Sequence, residues 1–189
     1  MRSAGTGRRP VRMGPKTNKY ASAVGPDMSS VFILGARGEA SCASDFMSLV
    51  QSLPCDVLPL DADVVCGKAH LETAVMHAKR AMEQGTNASA TVSMETMLFA
   101  SGERQISKAK EKMGVKDGMR HFALVLFDCD DPADILRRLR LIKDDLVLVP
   151  SREKIIAFGI EGKELGSVPE RQGQDLVLER VAFVEILKR

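Results

Sequence analysis

Tryptophan is absent from this 189-residue sequence and tyrosine occurs once, at Tyr20, so that with seven phenylalanines the aromatic share is only 4%. The phenylalanines lie within apolar runs and do not alternate with basic residues. That pattern argues against an aromatic stacking platform of the kind used by sequence-tolerant RNA binders. Long apolar runs are also missing. Phe122–Phe127 and Val181–Val184 are among the longest, far short of the ~18 to 20 residues of a membrane-spanning helix. The four cysteines, at 42, 55, 66 and 129, form no Cys-x-x-Cys and have no histidine pair nearby, which argues against a structural zinc site. With no signal peptide in view, they read as reduced, buried thiols of a soluble cytoplasmic protein. The Asn87-Ala88-Ser89 sequon then carries no glycan. Gly35-Ala36-Arg37-Gly38 lacks the three-glycine spacing of a dinucleotide fingerprint. No Ser-His-Asp or Cys-His arrangement can be assembled from the spacing.

What is present suits one globular domain: 44% hydrophobic and 28% charged residues at a length that can bury a core. The net charge of +2 is unevenly placed. Residues 1–27 hold six bases against Asp27, a balance of +5, and residues 28–189 sum to −3. Any affinity of the folded part for phosphate must therefore come from a local patch. The Gly, Arg, Ser and Pro-rich residues 1–27 read as a disordered basic tail. They also fit an upstream start preceding Met28, or, being poor in acids, a transit peptide.

Residues 28–189 predict a single α/β (α+β) domain, a small mixed sheet of about four strands covered by about seven helices. Val31–Gly35 reads as a strand closed by Gly35 and Gly38. An amphipathic helix follows, with Phe46, Leu49, Val50 and Leu53 on one face, stopped by Pro54. Val57–Asp61 is a second strand. Leu71, Ala74, Val75, Ala78, Ala81 and Met82 line a long alanine-rich helix ended by Gly85. Further helices are expected over 93–101 and 103–113, the latter with Arg104, Lys108, Lys110 and Lys112 on its wet face. The continuous run His121–Asp128 predicts a strand buried on both faces in mid-sheet. A helix after Pro132 carries Ile135, Leu136, Leu139 and Ile142, and Leu146–Val149 reads as a short strand. Met113-Gly114-Val115 and Phe158-Gly159-Ile160 both look like helix ends with a left-handed glycine. Ser151–Phe158 is therefore read as a helix, and the length of Leu176–Leu187 favours a C-terminal helix.

Three clusters could carry chemistry. Asp128, Asp130 and Asp131 at a strand end resemble the Asp-x-Asp of magnesium phosphatases, although about 60 residues remain to supply the other groups such enzymes need. The plainer reading is a solvated turn with Asp131 at a helix start. His70 and His77 are two helical turns, ~10 Å, apart, too far for one metal, so His70 reads as a surface histidine or a phosphate or base contact beside Lys68. Ser101-Gly102 opens the basic helix, so that its free N–H groups and Arg104 converge on one spot, a candidate anion site. Arg137, Arg138 and Arg140 form a second basic cluster.

The order of motifs adds more. Gly67 with His70-Leu71 and Ala74, then Glu95 with Leu98, then Ser101-Gly102-Glu103-Arg104-Gln105-Ile106 with Ala109, then Gly114-Val115, resembles the kinase-binding small subunit of KEOPS. Phe158-Gly159-Ile160 and Glu179-Arg180-Val181-Ala182 are similar to the archaeal form, and the resemblance spans about residues 31–189. It implies a non-catalytic subunit without metal or nucleotide cofactor, in a complex that makes threonylcarbamoyladenosine on tRNA. Such a subunit docks on the N-terminal lobe of a small atypical kinase and stimulates it, meets the threonylcarbamoyl transferase subunit only through that kinase, and helps hold the tRNA 3′ CCA end. The expected tRNA contacts are His70, Gly102, Arg104, Gln105 and Lys108. Nine of the twelve residues Leu176–Leu187 are apolar, which places the kinase interface on the C-terminal helix at Val181, Val184 and Leu187, together with the alanine-rich helix. A structural adaptor that never touches RNA and a phosphatase built on Asp128 and Asp130 are the alternatives.

Overall fold

A computed structural model describes Met28, residues 30–169 and residues 172–187; the expectations for residues 1–27 lie outside it. In chain order the elements are β1 (Val31–Ala40), α1 (Ala43–Gln51), β2 (Asp56–Asp61), α2 (Lys68–Gln84), α3 (Val92–Ser101), α4 (Ile106–Met113), β3 (Met119–Phe127), α5 (Pro132–Arg138), β4 (Ile142–Lys143), α6 (Arg152–Phe158), α7 (Gly162–Leu165) and α8 (Gly173–Leu187). Single 3₁₀ turns follow β2 and β4, over Ala62–Val64 and Asp145–Leu148.

β3 does lie inside the sheet, whose order is β2-β3-β1-β4. Its side chains alternate between two cores, as a strand's period of two requires. Phe122, Leu124 and Leu126 meet α1 and α5 through Phe46, Val50, Ile135 and Leu136. Ala123, Val125 and Phe127 meet α2, α3 and α8 through Leu71, Val75, Leu98, Val181 and Val184. Every ladder is antiparallel, so the sheet of this single mixed α/β domain is not itself mixed in direction.

Several local expectations are corrected. β1 runs through Gly35 and Gly38 without turning, because these glycines admit a neighbouring segment: a Cβ at Gly35 would collide with the Asp144 carbonyl and one at Gly38 with Leu141. α5 stops at Arg138, since Arg140 turns left-handed (φ 57°) and Ile142–Lys143 then pairs with Arg37 and Ala36 as the fourth strand. Leu146–Val149 is not a strand, because the Asp144 carboxylate accepts the Leu146 N–H at 3.1 Å and starts a 3₁₀ turn. Gly114 is extended (φ −71°, ψ 166°), whereas Gly159 is left-handed (φ 110°) as expected.

The cysteine expectation fails at three of four positions. Asp56 pairs with Phe127 in the β2–β3 ladder, which brings the flanking Cys55 and Cys129 to a Cα separation of 5.4 Å and into a disulfide. Cys42 is exposed. Only Cys66 is a free buried thiol, its pKa pushed up to about 11 by burial, which leaves it inert as a nucleophile.

Candidate functional site

Gly102, Glu103, Arg104, Gln105 and Lys108 line one open depression of about 520 Å³. Four of the five sequence-predicted tRNA contacts are thereby brought together, with Glu103 as the acid among them. α3 is capped by Gly102 in the left-handed conformation (φ 71°), which only glycine adopts at little cost. The Gly102 and Glu103 N–H groups donate back to the Phe99 and Leu98 carbonyls at 3.1 and 3.2 Å, so the chain leaves α3 in a tight reverse turn. α4 therefore starts at Ile106 rather than 103, with Gln105 extended as its N-cap and making no capping hydrogen bond. The first N–H groups of α4 and the exposed Arg104 and Lys108 side chains all belong to this short segment. Neither base forms an ion pair among the described residues. Uncompensated cations beside a helix start favour an anion.

His70 is corrected. Its side chain is fully buried in the first turn of α2, so it cannot touch RNA. Burial pushes its pKa down to about 4, and the neutral ring links two backbone groups: Nδ1 accepts the Cys66 N–H at 3.1 Å and Nε2 bonds the Ala100 carbonyl at 2.7 Å. Because an N–H can only donate and a carbonyl only accept, Nε2 carries the proton. Lys112 performs a parallel task one residue on, donating to the Ser101 carbonyl at 2.7 Å while its ammonium sits 3.9 Å above the Phe158 ring. Desolvation depresses the Lys112 pKa, opposed by Glu103 and assisted by Arg180.

The predicted kinase residues divide by helix face. Val181 and Val184, with Val177, occupy the i, i+4, i+7 stripe of α8 and are fully buried, so they belong to the core. The alanine stripe of α2 is likewise covered: Ala74 and Ala78 are fully buried and Ala81 nearly so. Leu187 closes α8, but its side chain lies outside the described residues. On the opposite face Phe183 and Ile186 stand 48% and 63% exposed, an apolar pair in one helix that sequence reading passed over. The valine stripe was the available signal: once it is assigned to the core, these two must point away from it.

The remaining clusters are less open. Arg137 and Arg138 both pair with Asp134. The Asp131 carboxylate is engaged as the α5 N-cap, accepting the Ala133 and Asp134 N–H groups at 2.9 and 3.1 Å. No group of three His, Cys, Asp or Glu side chains among the described residues is placed to hold a metal ion, so the second acidic pair a phosphatase requires beside Asp128 and Asp130 is not assembled there. No helix among these residues is long and apolar enough to cross a membrane.

Comparison with known proteins bears on the same region. A sequence profile described as Kinase binding protein CGI-121 matches residues 42–158. The Regulatory protein Cgi121 of Methanocaldococcus jannaschii is 33% identical over 134 residues, covering 68% of this chain and 83% of the relative. With the depression at Gly102–Lys108 and most of the helical framework inside the matched segment, the chain belongs to the CGI-121 family of kinase-binding proteins.

Proposed function

We propose that this protein is the non-catalytic, kinase-binding subunit of a KEOPS complex, stimulating the atypical kinase and presenting the tRNA 3′ CCA end during threonylcarbamoyladenosine synthesis. Family membership supports the kinase partner, with the transferase subunit reached indirectly through it. The observation that carries the RNA half is the convergence of Gly102, Arg104, Gln105 and Lys108 on one depression. A single-stranded 3′ end offers phosphates and splayed bases. Arg104 and Lys108 suit the former, and the Gln105 amide and the free α4 N–H groups can bond base edges or phosphate oxygens. The kinase is assigned to the outer face of α8, at Phe183 and Ile186 in place of Val181 and Val184, with Leu187 following at the helix end.

Two experiments test the reading. Full-length protein is expected to retain intact tRNA in a gel shift and to lose it when the CCA end is trimmed; equal retention of both contradicts the site. Co-purification with the kinase from the same organism is expected, and its failure contradicts the complex. Retention of the kinase without any tRNA contact would favour the adaptor reading.

A further inference from the structure

The depression has a built underlayer that none of its lining residues supplies. α3 ends at Ser101, so the Ala100 and Ser101 carbonyls lack intrahelical partners. Each is taken by a side chain from another helix, Ala100 by His70 of α2 at 2.7 Å and Ser101 by Lys112 of α4 at 2.7 Å. Phe158 of α6 lies between these two, edge-on to the His70 ring at 5.2 Å and beneath the Lys112 ammonium. Its ring tip is also 3.6 Å from where a Cβ on Gly102 would be. The left-handed turn is thus held from three helices at once, and every holding group lies behind the surface that the ligand would meet.

We infer that His70 is a positioning residue for this depression, fixing the Gly102 turn through its Nε2–H bond to Ala100 and so setting where Arg104, Gln105 and Lys108 stand. The inference rests on the depression being the tRNA-contacting surface. Its physical basis is the cost of an unpaired carbonyl. Ala100 and Ser101 are fully buried, so without His70 the Ala100 oxygen has no solvent to turn to in place. The peptide must rotate to recover a partner, which moves Gly102 and everything up to the start of α4. The bond to the Cys66 N–H holds the other side of the ring, one residue before the Gly67 N-cap of α2, and does not reach the turn.

That asymmetry supplies the test. A glutamine amide reaches the position of Nε2 and can still donate to Ala100, whereas an asparagine reaches only the position of Nδ1 and keeps the Cys66 contact alone. His70→Gln and His70→Asn in the full chain are compared by tRNA gel shift, by melting temperature and by amide exchange in the RNA-free protein. His70→Asn is expected to weaken tRNA binding about tenfold and to speed exchange at Gly102 and Glu103 by a similar factor, with the β3 amides unchanged. His70→Gln is expected to stay within about threefold of wild type in both readouts. Equal behaviour of the two variants, or unchanged exchange at Gly102 in His70→Asn, overturns the inference. If wild-type protein ignores tRNA, the proposed function falls, and the exchange comparison still decides whether His70 holds the turn. Should both variants unfold, nitrogen NMR of the wild-type ring decides instead. An Nε2 proton exchanging in step with the Gly102 amide upholds the inference, and one exchanging independently of it refutes it.

Discussion

Acidification from pH 7 to pH 4 is expected to act on stability through one buried ring. In the unfolded chain His70 binds a proton near its ordinary pKa of 6.5, whereas burial holds the folded-state value down at about 4. Between those values the unfolded state carries a proton that the native state does not, so stability rises with pH across the window and falls as pH is lowered through it. The stabilisation is fully present above about pH 6.5 and lost progressively towards pH 4. At 1.36 kcal/mol per unit, a displacement of this size corresponds to roughly 3 kcal/mol, a large share of the ~5 to 15 kcal/mol that holds a domain together. The carboxyls of Asp134, Asp144 and Glu153, whose pKa values are lowered by hydrogen bonds from Arg138, Arg37 and Ser151 respectively, lose their contribution further down the scale. Urea unfolding of wild type and His70→Gln at half-unit steps isolates the histidine, because every other group titrates in both proteins. Relative to His70→Gln, wild type should lose roughly 3 kcal/mol between pH 6.5 and pH 4, so that a variant near parity at neutral pH becomes the more stable protein in acid. Parallel curves would show that the ring is not held neutral by the fold, and the tautomer argument for the Ala100 bond would fall with it.

The other predictions concern separate parts of the molecule. The Cys55–Cys129 bond closes a 74-residue separation, so reduction, or Cys129→Ser, should cost about 4 kcal/mol by loop-entropy reasoning; identical urea midpoints with and without reductant would refute it. Phe183→Glu and Ile186→Glu should abolish kinase co-purification at unchanged melting temperature, whereas Val184→Glu should unfold the chain by burying an unpaired carboxylate. A folded Val184→Glu protein, or full kinase binding by both surface variants, contradicts the division of α8. Arg104→Glu should leave the melting temperature alone, weaken tRNA retention and flatten its salt dependence by about one phosphate contact or more; an unaltered salt slope counts against the assignment.

Sequence reading succeeded where periodicity is long and failed where a side chain competes with the backbone. β2, α2, α3 and α6 fall within a residue of their expected limits, because their apolar spacing and glycine or proline ends agree. The β4 region misled because the Asp144 carboxylate takes the Leu146 N–H and starts a 3₁₀ turn, while the Asp145 carboxylate accepts the N–H of the distant Gly35 at 2.9 Å. A bond across 110 residues leaves no local trace. The depression was legible as a motif, yet its supports were not: Phe158 read as an ordinary apolar helix end, and Lys112 as a wet face. His70 carried no mark of burial because its partners are backbone groups, which every residue possesses. The disulfide was hidden for a related reason, since only strand register brings Cys55 beside Cys129.

The two proposed surfaces are closer in space than their separation in sequence suggests. Arg180 lies in α8, with its Cβ 3.9 Å from where a Gly102 Cβ would be, and its guanidinium reaches Glu164 of α7 at 3.0 Å. Three residues further along the same helix stands Phe183, on the face assigned to the kinase. α8 therefore runs beside the turn that carries Arg104 and Lys108, near enough that a methyl on Gly102 would touch it, while Val181 and Val184 anchor it in the core behind. Close-packed elements transmit displacement, because interiors have little free volume to absorb it. A kinase seated on Phe183 and Ile186 needs no extended relay to reach the RNA surface: one rigid helix, one arginine and one glycine span the distance. Any effect of the kinase on tRNA affinity must then be matched by an equal effect of tRNA on kinase affinity, since binding linkage is reciprocal.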